Sequence, residues 1–342
     1  MLSPGLAARA GLSARGTLGG RGTSSSRARA AGTATVERLT AANADAWLDQ
    51  VDTLIFDCDG VLWRGPENIP GAADALARLR SMGKRVLFVT NNASKSRAMY
   101  ADKFASLGIQ ADASEIVAAS FAAAAYLTEA FGAEGRAGGR NKVYLVGDVG
   151  VERELEEAGI EYIGGQVAGE AVGMDPAEQL AEVLDPDVGA VVVGHDPTFS
   201  YRRLCLASMY VRELGDGGEF VGTNPDHADR IGGGRWMPGT GGLLAAVELA
   251  AGRRATVVGK GGEWLLPFLS RSLGLDPART AMVGDRLDTD IALGAQGGLR
   301  TLLVLTGVSG EADVAACGAG CRPERVAESV AVLLGERARL GE

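Results

Sequence analysis

Three observations predict an α/β fold for this chain, a doubly wound parallel sheet interrupted by an inserted second α/β unit. Short runs of aliphatic and β-branched residues alternate with helical stretches. Polar residues stand at the carboxyl ends of several of these runs, where parallel sheets bind ligands. The strand-and-helix texture also changes near residue 132, and the first pattern resumes beyond Gly242.

The first strand is the apolar run Val51–Phe56, which ends in Asp57-Cys58-Asp59-Gly60. A helix is expected near 70–82, opened by Pro70 and closed by Gly83, then a strand at Val86–Val89 that ends in Thr90-Asn91-Asn92. Helices follow at Ser94–Leu107, stopped by Gly108, and over the alanine-rich stretch from Ala118 to Phe131. Residues 132–140 and the glycine-rich stretch 232–242 read as linkers. Between them lie strands at Val143–Val146, Gly189–Val193 and Glu219–Val221, with helices near 150–158 and 201–213. Past Gly242 come a helix to about Ala251, a strand at Ala255–Val258, a helix at 263–273, and a strand at Thr280–Val283 leading to Gly284-Asp285. A helix at 289–296 and a strand at Arg300–Leu305 complete the run, and these last strands are assigned to the opening sheet. The expected division is core 45–131, inserted domain 132–252 and core again 253–342.

Bulk properties bound the function. At 342 residues, 46% hydrophobic and 23% charged, the chain can build a sizeable core. A net charge of −9 argues against nucleic acid or an anionic membrane as partner, and no window is apolar enough for a spanning helix. The first 36 residues differ: they carry five Arg and five Ser, and the first acid is Glu37. This composition predicts an organellar transit peptide over 1–36, for the chloroplast stroma or, alternatively, the mitochondrial matrix. The four cysteines, 58, 205, 317 and 321, are expected to be packed thiols, although redox control is conceivable at Cys58 and at the Cys317/Cys321 pair.

Asp57 and Asp59 are two residues apart, so on an extended backbone they share a face, and such close like charges call for a cation, naturally Mg²⁺. Four strand ends converge in the predicted sheet: Asp57/Asp59, Thr90-Asn91-Asn92, Gly259-Lys260, and Asp285 with Asp288 and Asp290. A calcium loop is excluded, because Val61 and Leu62 stand where a ligand and a turn glycine belong. No triphosphate or dinucleotide glycine motif follows a strand.

In order and residue type, the set resembles the haloacid dehalogenase superfamily: Asp-x-Asp, then a Ser/Thr, then a Lys, then an acidic motif. Residues 88–92 (Phe-Val-Thr-Asn-Asn), 238–242 (Pro-Gly-Thr-Gly-Gly) and 284–291 (Gly-Asp-Arg-Leu-Asp-Thr-Asp-Ile) are similar to its phosphoglycolate and pyridoxal phosphatase branch, over about residues 45–310. The resemblance implies a Rossmann-like core with a C2-type cap inserted after the second motif. It also implies a small phosphorylated metabolite as partner and the possibility of a cap-mediated homodimer. It makes Asp57 the nucleophile of an aspartyl phosphate and Asp59 the acid, later the base. For Asp59 to start protonated, a neighbouring carboxylate and partial burial are expected. Mg²⁺ would be held by Asp57, the Asp59 carbonyl and Asp285, with Asp290 orienting the metal shell. Lys260 would balance the nucleophile and phosphate charges while the Thr90 hydroxyl, the Asn91 backbone and Asn92 bind the phosphoryl group, though Asn92 could instead cap the next helix. His227 matches a cap histidine that faces substrate, while His195 is read as structural and Arg230 and Arg235 as partners for a substrate carboxylate. The family usually places Pro after the lysine, so Gly261-Gly262 predicts a looser loop. The implied activity is hydrolysis of 2-phosphoglycolate, with pyridoxal 5′-phosphate or aryl phosphates as alternatives. A non-catalytic phosphometabolite-binding protein is the remaining alternative.

Overall fold

A computed structural model describes residues 36–132, 139–167, 169–215, 217–232 and 235–336. The predicted 1–36 leader, apart from Val36, and residues 133–138 of the first linker lie outside the described residues.

The principal sheet has seven strands, every neighbouring pair parallel. From edge to edge they are Glu37–Arg38, Arg325–Ala327, Arg300–Val304, Thr280–Gly284, Thr53–Phe56, Arg85–Thr90 and Ile116–Ala118. Thr53–Phe56 is buried along its whole length, as a central strand covered on both faces must be. From it the chain winds outward in one direction through residues 85–118, then in the other through residues 280–327. Asp57 therefore leaves the sheet at the point where the winding reverses, which is where open α/β sheets bind ligands. Both outer strands, Glu37–Arg38 and Ile116–Ala118, escape the sequence reading because they are only two and three residues long.

Helices cover the sheet through narrow apolar faces. In Ala72–Ser81 the buried residues are Ala72, Ala75, Leu76 and Leu79, spaced three and four apart. In Arg97–Ser106, Ser96 caps the start by accepting the Met99 N–H, while Tyr100 and Phe104 point inward.

A second parallel sheet runs Thr256–Val257, Glu219–Gly222, Val188–Val193, Lys142–Val146, Tyr162–Gly164. This corrects one assignment. The Ala255–Val258 run does not join the principal sheet; its Thr256–Val257 segment is the edge of the inserted sheet, paired with Val221 and Gly222. The insertion thus closes at about Val258 rather than at 252, and the chain re-enters the core directly at Gly259-Lys260. The glycine-rich stretch 232–242 is likewise no plain linker, since Arg235–Pro238 pairs antiparallel with Ala228–Gly232 and the helix Thr240–Ala251 begins within it.

The two sheets share buried surface. Ile55, Leu87, Val89 and Met282 of the principal sheet lie in one apolar cluster with Val143, Leu145, Val192 and Val221 of the inserted one. Beside that cluster, the buried Glu154 of the inserted unit accepts the Arg97 backbone N–H (2.6 Å) and pairs with the Arg97 side chain (3.0 Å).

Candidate active site

The strand ends meet in a cleft of about 930 Å³ whose wall includes Asp57, Asp59, Thr90, Asn91, Lys260 and Asp285. Asp57 is buried, and its backbone N–H is fixed on Val283 O at 2.9 Å, continuing the ladder between the two central strands. Lys260, also buried, donates its ammonium to Asp57 Oδ1 and to Val89 O (3.0 Å), and lies 2.8 Å from Asp290 Oδ1.

Asp57, Asp285 and Asp290 each place one carboxylate oxygen within 4.8 Å of the others, the single such acid cluster among the described residues. Burial pushes the Asp57 carboxyl well above its ordinary value; Lys260 opposes the shift, and Asp290 and Asp285 add to it. Asp285 is pushed up to about 7 by burial and by Asp290, against the Val308 N–H that it accepts at 2.7 Å. The Lys260 ammonium is held above its ordinary value: burial works against it, but Asp290 and Asp57 outweigh that. Three acids face one ammonium, and the upward shifts of Asp57 and Asp285 show how strongly the site resists carrying all three charges without a further cation. Asp290 Oδ1 meets no donor other than the Lys260 ammonium. A buried set of three hard oxygen donors, one from each acid, fits a hard divalent cation. Asp290 is tied into the cluster through both oxygens. Its Oδ2 accepts the N–H groups of Asp285 (3.1 Å) and Arg286 (3.0 Å), while its Oδ1 belongs to the cluster itself.

Glycine makes this approach possible. Gly60 has φ +86°, and a Cβ on it would stand 2.5 Å from Asp285 Oδ2; at Gly307 the corresponding distance is 1.7 Å.

The other predicted residues divide. Thr90 is buried, lines the cleft and accepts the Asn92 N–H at 3.2 Å. Asn91 uses its side chain as a clamp, with Oδ1 accepting Lys260 N–H (2.8 Å) and Nδ2 donating to Lys260 O and Asp226 Oδ1, both at 3.0 Å. This overturns the looser loop expected at Gly261-Gly262. Gly261 sits at φ +97° against Pro225, and a Cβ on Gly262 would strike Val257 O, so both glycines serve a tight turn. Asn92 is exposed at the cleft wall and accepts Ser94 N–H and Oγ–H, while Ser96 caps the following helix.

Asp59 stands apart from the acid cluster. Its side chain is 47% exposed, and its Oδ1 accepts Trp63 Nε1–H at 2.8 Å with Lys103 Nζ at 3.7 Å. The partner expected to be a carboxylate is thus an indole N–H and an ammonium. Asp288 is turned away onto Arg286, to which it presents both oxygens at 3.2 Å.

The two histidines lie elsewhere than expected. His227 is 74% exposed, 4.0 Å from Asp288, and absent from the cleft wall, whereas His195 lines it. His195 follows the buried strand Val188–Val193, and its place at a strand end was the signal available in the sequence. Arg235 is exposed outside the cleft wall, and the side chain of Arg230 lies outside what is described. Sequence reasoning also missed Asn224, whose Nδ2 donates to Asn91 O at 2.7 Å, together with Asp226 and Arg286. Arg286 contacts Ala228 O and Asp229 of the hairpin that leans over the site.

Comparison with known proteins agrees with this geometry. The haloacid dehalogenase-like hydrolase model matches residues 54–161, from the core into the first strand and helix of the insertion, and a haloacid dehalogenase hydrolase-like model matches 257–333, from the last residue of the inserted sheet through the returning core. A glycerol-3-phosphate phosphatase of Homo sapiens is 46% identical over 81% of this chain and 86% of its own length. The chloroplastic phosphoglycolate phosphatase 1A of Arabidopsis thaliana is 41% identical over 78% of this chain and 72% of its own. Among solved structures, a glycerol phosphate phosphatase of Mycobacterium tuberculosis in complex with magnesium superposes with a TM-score of 0.67 at 27% identity. That match covers 84% of this chain and 78% of the other. A buried aspartate at the reversal of a parallel sheet, a lysine on it, two further acids beside it and relatives of this kind place the chain among the phosphatases of the haloacid dehalogenase-like hydrolase family.

Proposed function

We propose that this protein is a Mg²⁺-dependent phosphomonoester hydrolase that works through an aspartyl phosphate on Asp57, with 2-phosphoglycolate as its substrate in the plastid stroma. The observation that carries the chemistry is the cluster of three acids, Asp57, Asp285 and Asp290, around one Lys260, set at the sheet's reversal point. A carboxylate oxygen of Asp57 bonds to phosphorus as the ester bond breaks. The electron pair of that bond leaves on the substrate oxygen, which takes a proton from Asp59. Water then attacks the phosphorus, gives its proton to Asp59 and frees Asp57 and phosphate. Asp57, Asp285 and the Asp59 carbonyl would hold the metal, which would supply positive charge to the phosphoryl oxygens. Lys260 and the Thr90 hydroxyl serve those oxygens from the protein side, and Asn91 fixes the Lys260 backbone.

The substrate assignment rests on the 41% identical chloroplastic phosphoglycolate phosphatase and on the acid-free, basic first 36 residues. A second reading, glycerol 3-phosphate, is favoured by the 46% identical human relative. Neither nucleic acid nor a membrane is proposed as a partner, and a homodimer is the proposed assembly. The deciding measurement is kcat/KM, with Mg²⁺, for 2-phosphoglycolate, glycerol 3-phosphate, pyridoxal 5′-phosphate and 4-nitrophenyl phosphate. Preference for phosphoglycolate by about tenfold or more over the others supports the first reading, since pocket contacts typically discriminate on that scale. The reverse order against glycerol 3-phosphate transfers the assignment, and no hydrolysis of any of the four overturns both.

A further inference from the structure

We propose that Lys103, acting with Trp63, is a positioning residue for Asp59, holding one carboxylate oxygen so that the other carries the proton to the leaving group. The inference rests on the role given to Asp59 above. Its ground is a convergence on a single atom: Trp63 Nε1–H donates to Asp59 Oδ1 at 2.8 Å, and Lys103 Nζ lies 3.7 Å from that same Oδ1. Among the described residues no hydrogen bond occupies Oδ2.

The anchor is rigid where Asp59 is not. Trp63 is fully buried, in an edge contact with Phe104 (ring centroids 4.9 Å apart) and stacked on Tyr100 (6.5 Å). Lys103 places its ammonium 4.2 Å above the Trp63 ring. Tyr100, Lys103 and Phe104 fall on one face of the helix Arg97–Ser106, so a single element packs the indole and sets the cation over it. Asp59, by contrast, is nearly half exposed at the cleft and has rotamers to lose. Lys103 itself is absent from the cleft wall, so it acts through Asp59 rather than on substrate.

The step it serves balances simply. As the Asp57 oxygen bonds to phosphorus, the ester P–O pair leaves on the substrate oxygen, and the proton of Asp59 Oδ2 moves onto that oxygen. An alkyl oxygen needs that proton, while a 4-nitrophenolate leaves without it. Loss of the anchor should therefore show in kcat/KM for an alkyl phosphate and not for the aryl one.

The test compares wild type with Lys103→Met, Lys103→Gln, Lys103→Arg and Trp63→Phe. Each is assayed on 4-nitrophenyl phosphate and on whichever of 2-phosphoglycolate and glycerol 3-phosphate turns over faster. Lys103→Met and Lys103→Gln are expected to lose roughly tenfold in kcat/KM on the alkyl phosphate, part of the 10²–10⁴ that a positioned acid supplies, and less than about threefold on the aryl one. Trp63→Phe keeps the ring packing but lacks the N–H and should repeat the pattern, while Lys103→Arg should restore most of the alkyl activity. Equal losses on both substrates, or none, overturn the role of Lys103. Asp59→Asn separates the two levels: a selective alkyl loss there but not in the Lys103 variants sinks this proposal alone. A uniform response in Asp59→Asn removes the acid assignment and the proposal with it.

Discussion

The core and the inserted unit each bury a charged cluster, and the two clusters are built on opposite terms. In the core, Asp57, Asp285 and Asp290 surround one Lys260, and all four side chains are nearly sealed from water. In the insertion, Arg203 pairs with the fully buried Asp196 at 2.6 Å and with Glu170 at 2.7 Å, and Glu170 still reaches solvent at 21% exposure. The second cluster has one acid in excess, the solvent-reaching Glu170, and is otherwise complete, with Asp196 also accepting Thr198 N–H and Oγ–H. The first sets three buried acids against one ammonium, and its Asp290 Oδ1 meets no donor but Lys260. Buried charge alone therefore does not mark chemistry; a cluster of buried acids that outnumber their cation at a sheet's reversal point does.

Four experiments press on that contrast. The largest effect belongs to Asp57→Asn, which should lower kcat on the order of 10⁴-fold or more, as loss of a covalent nucleophile does. Circular dichroism and Tm should stay at wild-type level, because the variant removes one of three repelling acids; substantial remaining turnover would refute the covalent route. Next, chelation should silence the enzyme reversibly. Added Mg²⁺ should raise Tm by the equivalent of about 2.7 kcal/mol at a hundredfold excess over its Kd, and Asp285→Asn should abolish that shift. Third, Arg203→Met in the insertion should cost about 3 kcal/mol of stability by stranding Asp196, read as a lower urea midpoint, with kcat changed by less than about threefold. A collapse of kcat in folded Arg203→Met would show that the second cluster is no mere support.

The smallest effect lies where the two units meet. Burial raises the Glu154 carboxyl above its ordinary value, against the hydrogen bonds from Arg97. An acid whose folded value is raised binds more protons folded than unfolded. Its stabilising contribution is therefore fully present below the ordinary carboxylate pKa and declines as pH rises through the folded value. Glu154→Gln should gain stability relative to wild type as pH rises across that window, measured as the difference in Tm at successive pH values. A difference that moves the other way would mean that the Arg97 pair outweighs burial.

Much of the core was legible because chemistry there sits at the ends of unmistakable apolar runs. Leu54-Ile55-Phe56 leading to Asp57 and Ala281-Met282-Val283 leading to Asp285 need no tertiary knowledge. The residues that escaped are those whose role depends on a partner distant in the chain. Thr256–Val257 reads as any short strand, and only its pairing with Val221 and Gly222 assigns it to the insertion. Asn91 reads as a phosphate ligand through its backbone, and nothing local tells that its side chain grips Lys260, 169 positions away. His195 and His227 are equally polar in sequence, and only the placement of the loops around the cleft separates them. The hairpin of Ala228–Gly232 with Arg235–Pro238 was hidden by glycines that suggest a tether.

The close wrapping of Asp285 by Gly60 and Gly307 has a consequence for how such a protein fails. Neither residue carries a functional group, and an inventory of acids, bases and nucleophiles would pass over both. Yet a single methyl at either site would press on the Asp285 carboxylate and its hold on the Val308 N–H. Inactivating alleles of this enzyme should therefore arise from alanine at 60 or 307 with every reactive side chain still in place.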